Sequence, residues 1–247
     1  MPLPISKDKF LKYRFMNNSA NLRPFMSETR WMTALTFQQM LAKYKKVIAK
    51  PVGGSRGKGV FQVSALGNNL YQVHVENRKY KVRGQQQAFA LVQRHVGAGG
   101  YMVQRCISRA DINGRPFDMR VIVQRKTNSP HWVVTAKVAK VAGSGYIVSN
   151  IERSKGTVLL VGTALRRSSL KGRSPHLLQK NLDQVALRSA TRLRELFPEH
   201  RMYGFDLALD RRGRVWIIEA NLFPARSHFR KLADKTMLNR INAYRFG

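Results

Sequence analysis

The sequence predicts an α+β chain whose strands are mainly antiparallel. Three observations carry this. Strand-like segments follow one another across short polar turns instead of alternating with helices as βαβ units would. The segment 205–221 reads as a hairpin, FDLALD and RVWIIEAN joined at Arg211, Arg212 and Gly213. Apolar residues make up 43% of the 247 positions, enough for a core despite a formal net charge of +32.

Residues 1–42 form a basic, partly helical lead-in, interrupted at Pro24 and Ser27. Ser27, Glu28 and Thr29 predict the start of a helix running from Trp31 towards Tyr44, with Trp31, Leu35, Met40 and Leu41 on its apolar face. From Lys46 the period changes to two. KVIAK reads as a buried strand, followed by Pro51, a loop holding Gly53, Gly54, Gly57 and Gly59, and a second strand at 60–63. Strands at 70–76 and 79–83 flank a polar turn, and a helix is expected over 85–95, ended by the glycines at 97–100. Further strands fall at 101–107, 117–126 and 131–142, the last two pairing antiparallel. A basic Ser/Gly loop covers 165–175. The longest helix is expected over 177–197, with Leu178, Leu182, Val185, Leu193 and Leu196 at helical spacing.

Composition narrows the partners. Thirteen acids face 45 Lys and Arg, so 32 positive charges stay unpaired in any fold and favour polyanions such as nucleic acid or an anionic polymer. No RRM, KH, zinc-finger or homeodomain signature accompanies that charge. A lone cysteine, Cys106, excludes an internal disulfide framework and a cysteine-cluster zinc site. No run of 18 apolar residues predicts a membrane span, and the N-terminus lacks the apolar stretch of a secretory signal. A reducing, cytoplasmic setting is the expectation. The six histidines (74, 95, 131, 176, 200 and 228) show no metal-ligand spacing and no nucleophile partner.

Three constellations carry chemistry. Lys50 ends a strand and is followed by GGSRGKG at 53–59. Its glycines let backbone N–H groups approach an anion, and Lys50 and Lys58 add charge; the other reading is a glycine-rich turn with solvated lysines. It is not a Walker A loop, because GKGV leads into a strand. The second constellation is the final hairpin. A four-residue loop at 211–214 sets Asp206 opposite Glu219, on one face with Asn221. Opposed like charges destabilise a sheet unless compensated. Two carboxylates and an amide oxygen suit Mg²⁺; the alternative is neutralisation by neighbouring bases. The third is FDMR, where Asp118 and Arg120 share a strand face, either to meet a nucleotide or as a surface ion pair.

The ordered set VIAKP, GGSRGKGV, YMVQRCI, FDMRV, a strand ending in IVSN, FDLALD and WIIEAN resembles the ATP-grasp superfamily. LRPFMSETR and AGSGYIVSNI resemble its YheC/YheD branch, described as endospore coat-associated. The similarity covers roughly residues 21–230. It implies an ATP site between two α+β subdomains, a smaller one over 43–104 and a larger one over 105–247 with a C-terminal tail. Lys50 would meet the α and β phosphates, and Gly53, Gly54, Ser55, Gly57, Lys58 and Gly59 would close over them. Gln104, Arg105 and Cys106 would sit at the adenine hinge, with Asp118, Val148, Ser149 and Asn150 near the nucleotide. Asp206, Glu219 and Asn221 would bind Mg²⁺, or Mn²⁺ in its place. Arg120 and Lys140 would be the catalytic cations; Lys140 stands where related enzymes usually carry arginine, and Ser154, Lys155 and Gly156 replace a Gly-Gly. The implied activity is ligation of a carboxylate to an amine or thiol through an acylphosphate. The alternative is a basic nucleotide-binding scaffold or coat protein on an anionic polymer.

Overall fold

A computed structural model of the protein describes residues 4–54, 57–96 and 100–246. Helix α1 (Lys9–Asn17) starts at Asp8, whose carboxylate accepts from the Leu11 amide at 2.8 Å. A short strand β1 (Thr29–Trp31) follows, then α2 (Ala34–Tyr44). The helix expected from Trp31 thus begins three residues later. Thr33 and Thr36 form a reciprocal cap at its start, and Phe37, Met40 and Leu41 are its buried face. Trp31 and Leu35, expected on that face, are 45% and 62% exposed.

Strands β2 (Lys46–Pro51), β3 (Phe61–Gly67), β4 (Leu70–Val75) and β5 (Arg78–Arg83) precede helix α3 (Gln85–Gln93) and strand β6 (Tyr101–Arg105). They join β1 in a six-stranded sheet of order β1-β6-β2-β3-β4-β5. Every pairing in it is antiparallel. The inward residues Val47, Ala49, Phe61, Val63, Val73 and Val103 pack on Phe37, Met40 and Leu41 of α2 and on Ala88 and Val92 of α3.

The second sheet contains β7 (Asp111–Ile112), β8 (Arg115–Gln124), β9 (Val133–Val141), β10 (Thr157–Leu159), β11 (Met202–Leu209) and β12 (Val215–Asn221). Its order is β10-β9-β8-β11-β12, with β7 paired to β8. Alternation along β8 sorts the two faces. Phe117, Met119, Val121 and Val123 join a core with Leu182, Val185, Ala186 and Leu193, on the longest helix. Asp118, Arg120 and Ile122 point the other way.

Helices α4 (Ile151–Ser154) and α5 (Val161–Arg167) lie between β9 and α6 (Pro175–Arg194), so half of the expected 165–175 loop is helical or capping. Ser174 accepts from Leu177 and Pro175 occupies the first turn, which sets the start of α6. The expected strand ending at Asn150 does not form. Residues 142–150 are irregular, and Asn150 caps α4 by accepting from the Arg153 amide at 2.9 Å. The chain beyond 222 is more than a tail: α7 (Ser227–Arg230) and α8 (Thr236–Phe246) pack Phe229 and Ile241 on Ile122, Ala136 and Val138. They seal part of the face that Asp118 and Arg120 share.

The lead-in residues are divided between the sheets. α2 lies on the first, whereas Met16, Leu22 and Met26 belong to the core of the second.

Candidate functional site

The two sheets meet at a cleft with a cavity volume of about 190 Å³. Lys50, Gln104, Arg105 and Cys106 line it from the first sheet, and Asp118, Arg120, Lys140, Asp206, Glu219 and Asn221 from the second. Gly57, Val148, Ser149 and Asn150 add loop walls, and Ile48, Val60, Ile107 and Ile147 an apolar part.

The final hairpin reaches this geometry by a route that strand counting misses. Leu209 pairs with Val215, so the loop is Asp210–Arg214, five residues instead of four. Continued without interruption, that register would set Glu219 and Asn221 on the helix-covered face with Val215 and Ile217. A bulge between Ile217 and Glu219 restores the expected pair Asp206–Glu219 and turns both residues to the cleft. It also leaves the Ile218 carbonyl to Lys50, whose Nζ donates to it at 3.3 Å.

Lys50 is 9% exposed and donates in addition to Gln104 Oε1 at 2.9 Å. Thr29 Oγ1 accepts from Gln104 Nε2 at 2.8 Å and so fixes the amide oxygen towards Lys50. Both acceptors of the ammonium are neutral. Burial lowers the Lys50 pKa to about 8, against the pull of Glu219.

Lys140, 5% exposed, has the opposite surroundings. It lies 2.8 Å from Asp118 Oδ1 and 2.9 Å from Asp206 Oδ1. Arg120 clasps Asp206 with both ends of its fork, Nε at 2.7 Å and Nη2 at 3.0 Å. Burial works against every one of these charges, but the carboxylates raise the pKa of Lys140 and Arg120, and the two cations lower that of Asp206. Asp118 also accepts from Ser149 and lies 3.7 Å from Arg109. FDMR is therefore a buried network, not a surface pair.

Glu219 is less committed, with Lys9 Nζ 3.8 Å away. Neutralisation by bases thus describes Asp206 closely, and Glu219 only through this one long pair. Asp206 accepts three charged hydrogen bonds, which leaves about one of its four lone-pair positions. Asn221 Nδ2 is buried without a partner among the described residues. No cluster of three His, Cys, Asp or Glu exists among them. The donors that fit a hard cation are Glu219, Asn221 and the free position of Asp206, the remainder coming from phosphate or water.

The glycine-rich loop is brought only partly to the cleft. Gly57, at φ +71°, faces Val148, where a Cβ would come within 3.3 Å. Gly59 shares that φ, and a Cβ there would lie 2.5 Å from the Tyr101 hydroxyl. Gly53 and Gly54 accept from Lys9 Nζ at 3.4 and 2.9 Å through their carbonyls, and Lys58 is exposed. Ser55 lies outside the described residues. The Arg105 side chain leaves the cleft to lie over the rings of Tyr44 and Trp216. Cys106 Sγ donates to Gln62 Oε1 at 3.7 Å, and burial raises its pKa.

Sequence reading passed over two residues of the site. Arg109 bridges Asp118 and the Ile147 carbonyl, the latter at 2.6 Å. His228, 8% exposed, lines the cleft from α7, and burial beside Arg120 and Lys140 lowers its pKa to about 4. Neither belongs to a motif by spacing, and the basic run around His228, ARSHFRK, gave no signal that it faces the cleft.

Known proteins are similar to this chain in sequence or in fold. The endospore coat-associated protein YheD of Bacillus subtilis (strain 168) is 24% identical over 228 residues, which is 90% of this chain and 49% of YheD, so the chain spans about half the length of that relative. An N5-carboxyaminoimidazole synthase of Aspergillus clavatus, solved with ADP and 5-aminoimidazole ribonucleotide, superposes with a TM-score of 0.56 at 10% identity. That match covers 96% of this chain and 51% of the enzyme. D-alanyl-alanine synthetase A of Vibrio cholerae gives 0.55 at 12% identity, covering 97% and 64%. The fold is thus the one these enzymes have. The family described as YheC/D like ATP-grasp matches residues 4–245, nearly the whole chain, and the chain belongs to that family.

Proposed function

We propose that the chain is an ATP- and Mg²⁺-dependent ligase that joins a carboxylate to an amine or thiol. The observation that carries this is Lys50, a buried ammonium with only neutral acceptors, facing a cleft beside an underused carboxylate. Such a charge is stabilised by an anion, and phosphates of ATP supply one. Ile48, Val60, Ile107 and Ile147 give the adenine an apolar slot beside the Arg105 and Cys106 backbone. Gly57 brings backbone close to the phosphates, and Arg120 and Lys140 stand against the transferred one.

In the reaction a carboxylate oxygen attacks the γ-phosphorus and the bond to the β,γ-bridging oxygen breaks, releasing ADP. An amine then attacks the acyl carbon, the C–O bond to phosphate breaks, phosphate leaves with the electron pair, and the amine nitrogen loses a proton. The chain's residues position and neutralise; no protein nucleophile is needed. Asp206, Glu219 and Asn221 would hold Mg²⁺, or Mn²⁺, which offsets phosphate charge when bound.

The test is ADP release by purified protein given ATP, Mg²⁺ and pools of carboxylates and amines. Release that needs both pools supports ligation. The engagement of Lys140 with two carboxylates, at 2.8 and 2.9 Å, favours a second reading, a nucleotide-binding coat scaffold on an anionic polymer. Nucleotide binding without release under any pool would support that one instead.

A further inference from the structure

A second cavity, of about 380 Å³, opens on the other side of α7, between it and α4. That volume lies in the range of small-molecule sites, roughly 300–1,000 Å³. Its lining holds three bases, Arg226, Arg230 and Lys231, against one acid, Glu152. Arg226 donates to Asn242 Oδ1 at 2.8 Å. Arg230 and Lys231 are exposed, and neither side chain has an anionic partner among the described residues.

A basic lining is ordinary on a chain of this charge, so charge alone assigns nothing. Two further observations single this pocket out. Asn150 and His228 line both cavities, so the pocket adjoins the nucleotide cleft across a shared wall. His228 Nδ1 is buried with no hydrogen-bond partner among the described residues. An unpaired buried nitrogen is costly, which marks this junction as incomplete until something polar reaches it.

We propose that this pocket binds the acyl substrate, and that the substrate is a dianion. Its reacting carboxylate enters past His228 and Asn150 towards the cleft, and a second anionic group rests on Arg230 and Lys231. The proposal rests on the ligase reading and adds the class of substrate: a dicarboxylate, or an acid carrying another anionic group. A simple monocarboxylate leaves the two cations unused.

The experiment is titration calorimetry with glutarate and butyrate, on protein saturated with a non-hydrolysable ATP analogue and Mg²⁺. Glutarate is expected to bind at least tenfold more tightly than butyrate. The double variant Arg230→Met/Lys231→Met, altered only at exposed positions, should lose that preference while its affinity for the ATP analogue is unchanged. Equal binding of the two acids, or a preference that survives the double variant, overturns the dianion pocket while leaving the nucleotide site intact. Failure of the ATP analogue to bind overturns the ligase reading itself, and this proposal falls with it.

Discussion

Lys50 and Lys140 are two buried lysines on facing walls of one cleft, and their surroundings differ in kind. Lys140 sits between two carboxylates in a network that also satisfies Arg120 and Asp206. Lys50 has an amide oxygen and a peptide carbonyl. Burial acts on both, yet the pKa rises for Lys140 and drops to about 8 for Lys50. The difference teaches where a ligand is still needed. A charge matched by protein charges stabilises the fold before any ligand arrives, while a charge met only by dipoles is left for a partner to complete.

The sharpest way to break this contrast is on the Lys140 side. Arg120→Met leaves Asp206 with one cation, and loss of one member of a buried ionic set costs about 3–5 kcal/mol. Urea unfolding of nucleotide-free protein should show that loss; a change below about 1 kcal/mol would erase the distinction. Next in size, Lys50→Met should weaken ATP binding about ten- to hundredfold, equivalent to roughly 1.5–3 kcal/mol. Its nucleotide-free stability should hold or rise. If stability falls instead as for Arg120→Met, Lys50 stabilises the fold too.

pH sharpens the same point. With a folded pKa of about 8 against an ordinary value of 10.5, Lys50 destabilises the fold fully below pH 8, and stability recovers as pH rises from there towards 10.5. Lys12, also lowered to about 8, chiefly by burial, acts in the same direction. ATP affinity should run the other way, flat up to about pH 8 and falling by at most about tenfold per unit above it, as the free ammonium is lost. In Lys50→Met that fall should disappear; a fall that persists assigns it to Lys12. The smallest stability effect is expected for Glu219→Gln. A pair at 3.8 Å to a partly exposed lysine is worth about 0–1 kcal/mol, so the nucleotide-free melting temperature should barely move. The Mg²⁺ dependence of ATP binding should drop, and a melting temperature lower by several degrees would make Glu219 structural.

Alternation and turn signals did not reveal the short strands β1, β7 and β10, but made the longer strands of both sheets legible, together with α6 and the facing of Asp206 and Glu219. That last agreement hides two offsetting departures, a loop one residue longer and a bulge at Ile218, and neither leaves a mark in hydrophobic periodicity. Trp31 misled because an aromatic beside a polar turn suits a helix start or an edge strand equally well. The irregular run to Asn150 looked like a strand because IVS is apolar, and its true role is a cap. Helices α7 and α8 were illegible because the partners of Phe229 and Ile241, among them Ile122 and Val138, lie a hundred positions or so earlier in the chain. The ordered motifs carried the family; which cations are tied up and which are open was set by contacts across the whole chain.

The bulge at Ile218 also has a consequence in time. Lys50 and the carbonyl it reaches are 168 positions apart. At about 5–20 residues per second, synthesis delivers Ile218 roughly 8–34 s after Lys50. During that interval the first sheet can close around Lys50 with Gln104 as its one acceptor. A solvated ammonium on the open face of that sheet resists docking of apolar surface there, which delays premature burial of this wall. Completion of the cleft then arrives late, with the last hairpin, so a chain stalled before 218 would carry a folded first sheet and an unfinished site.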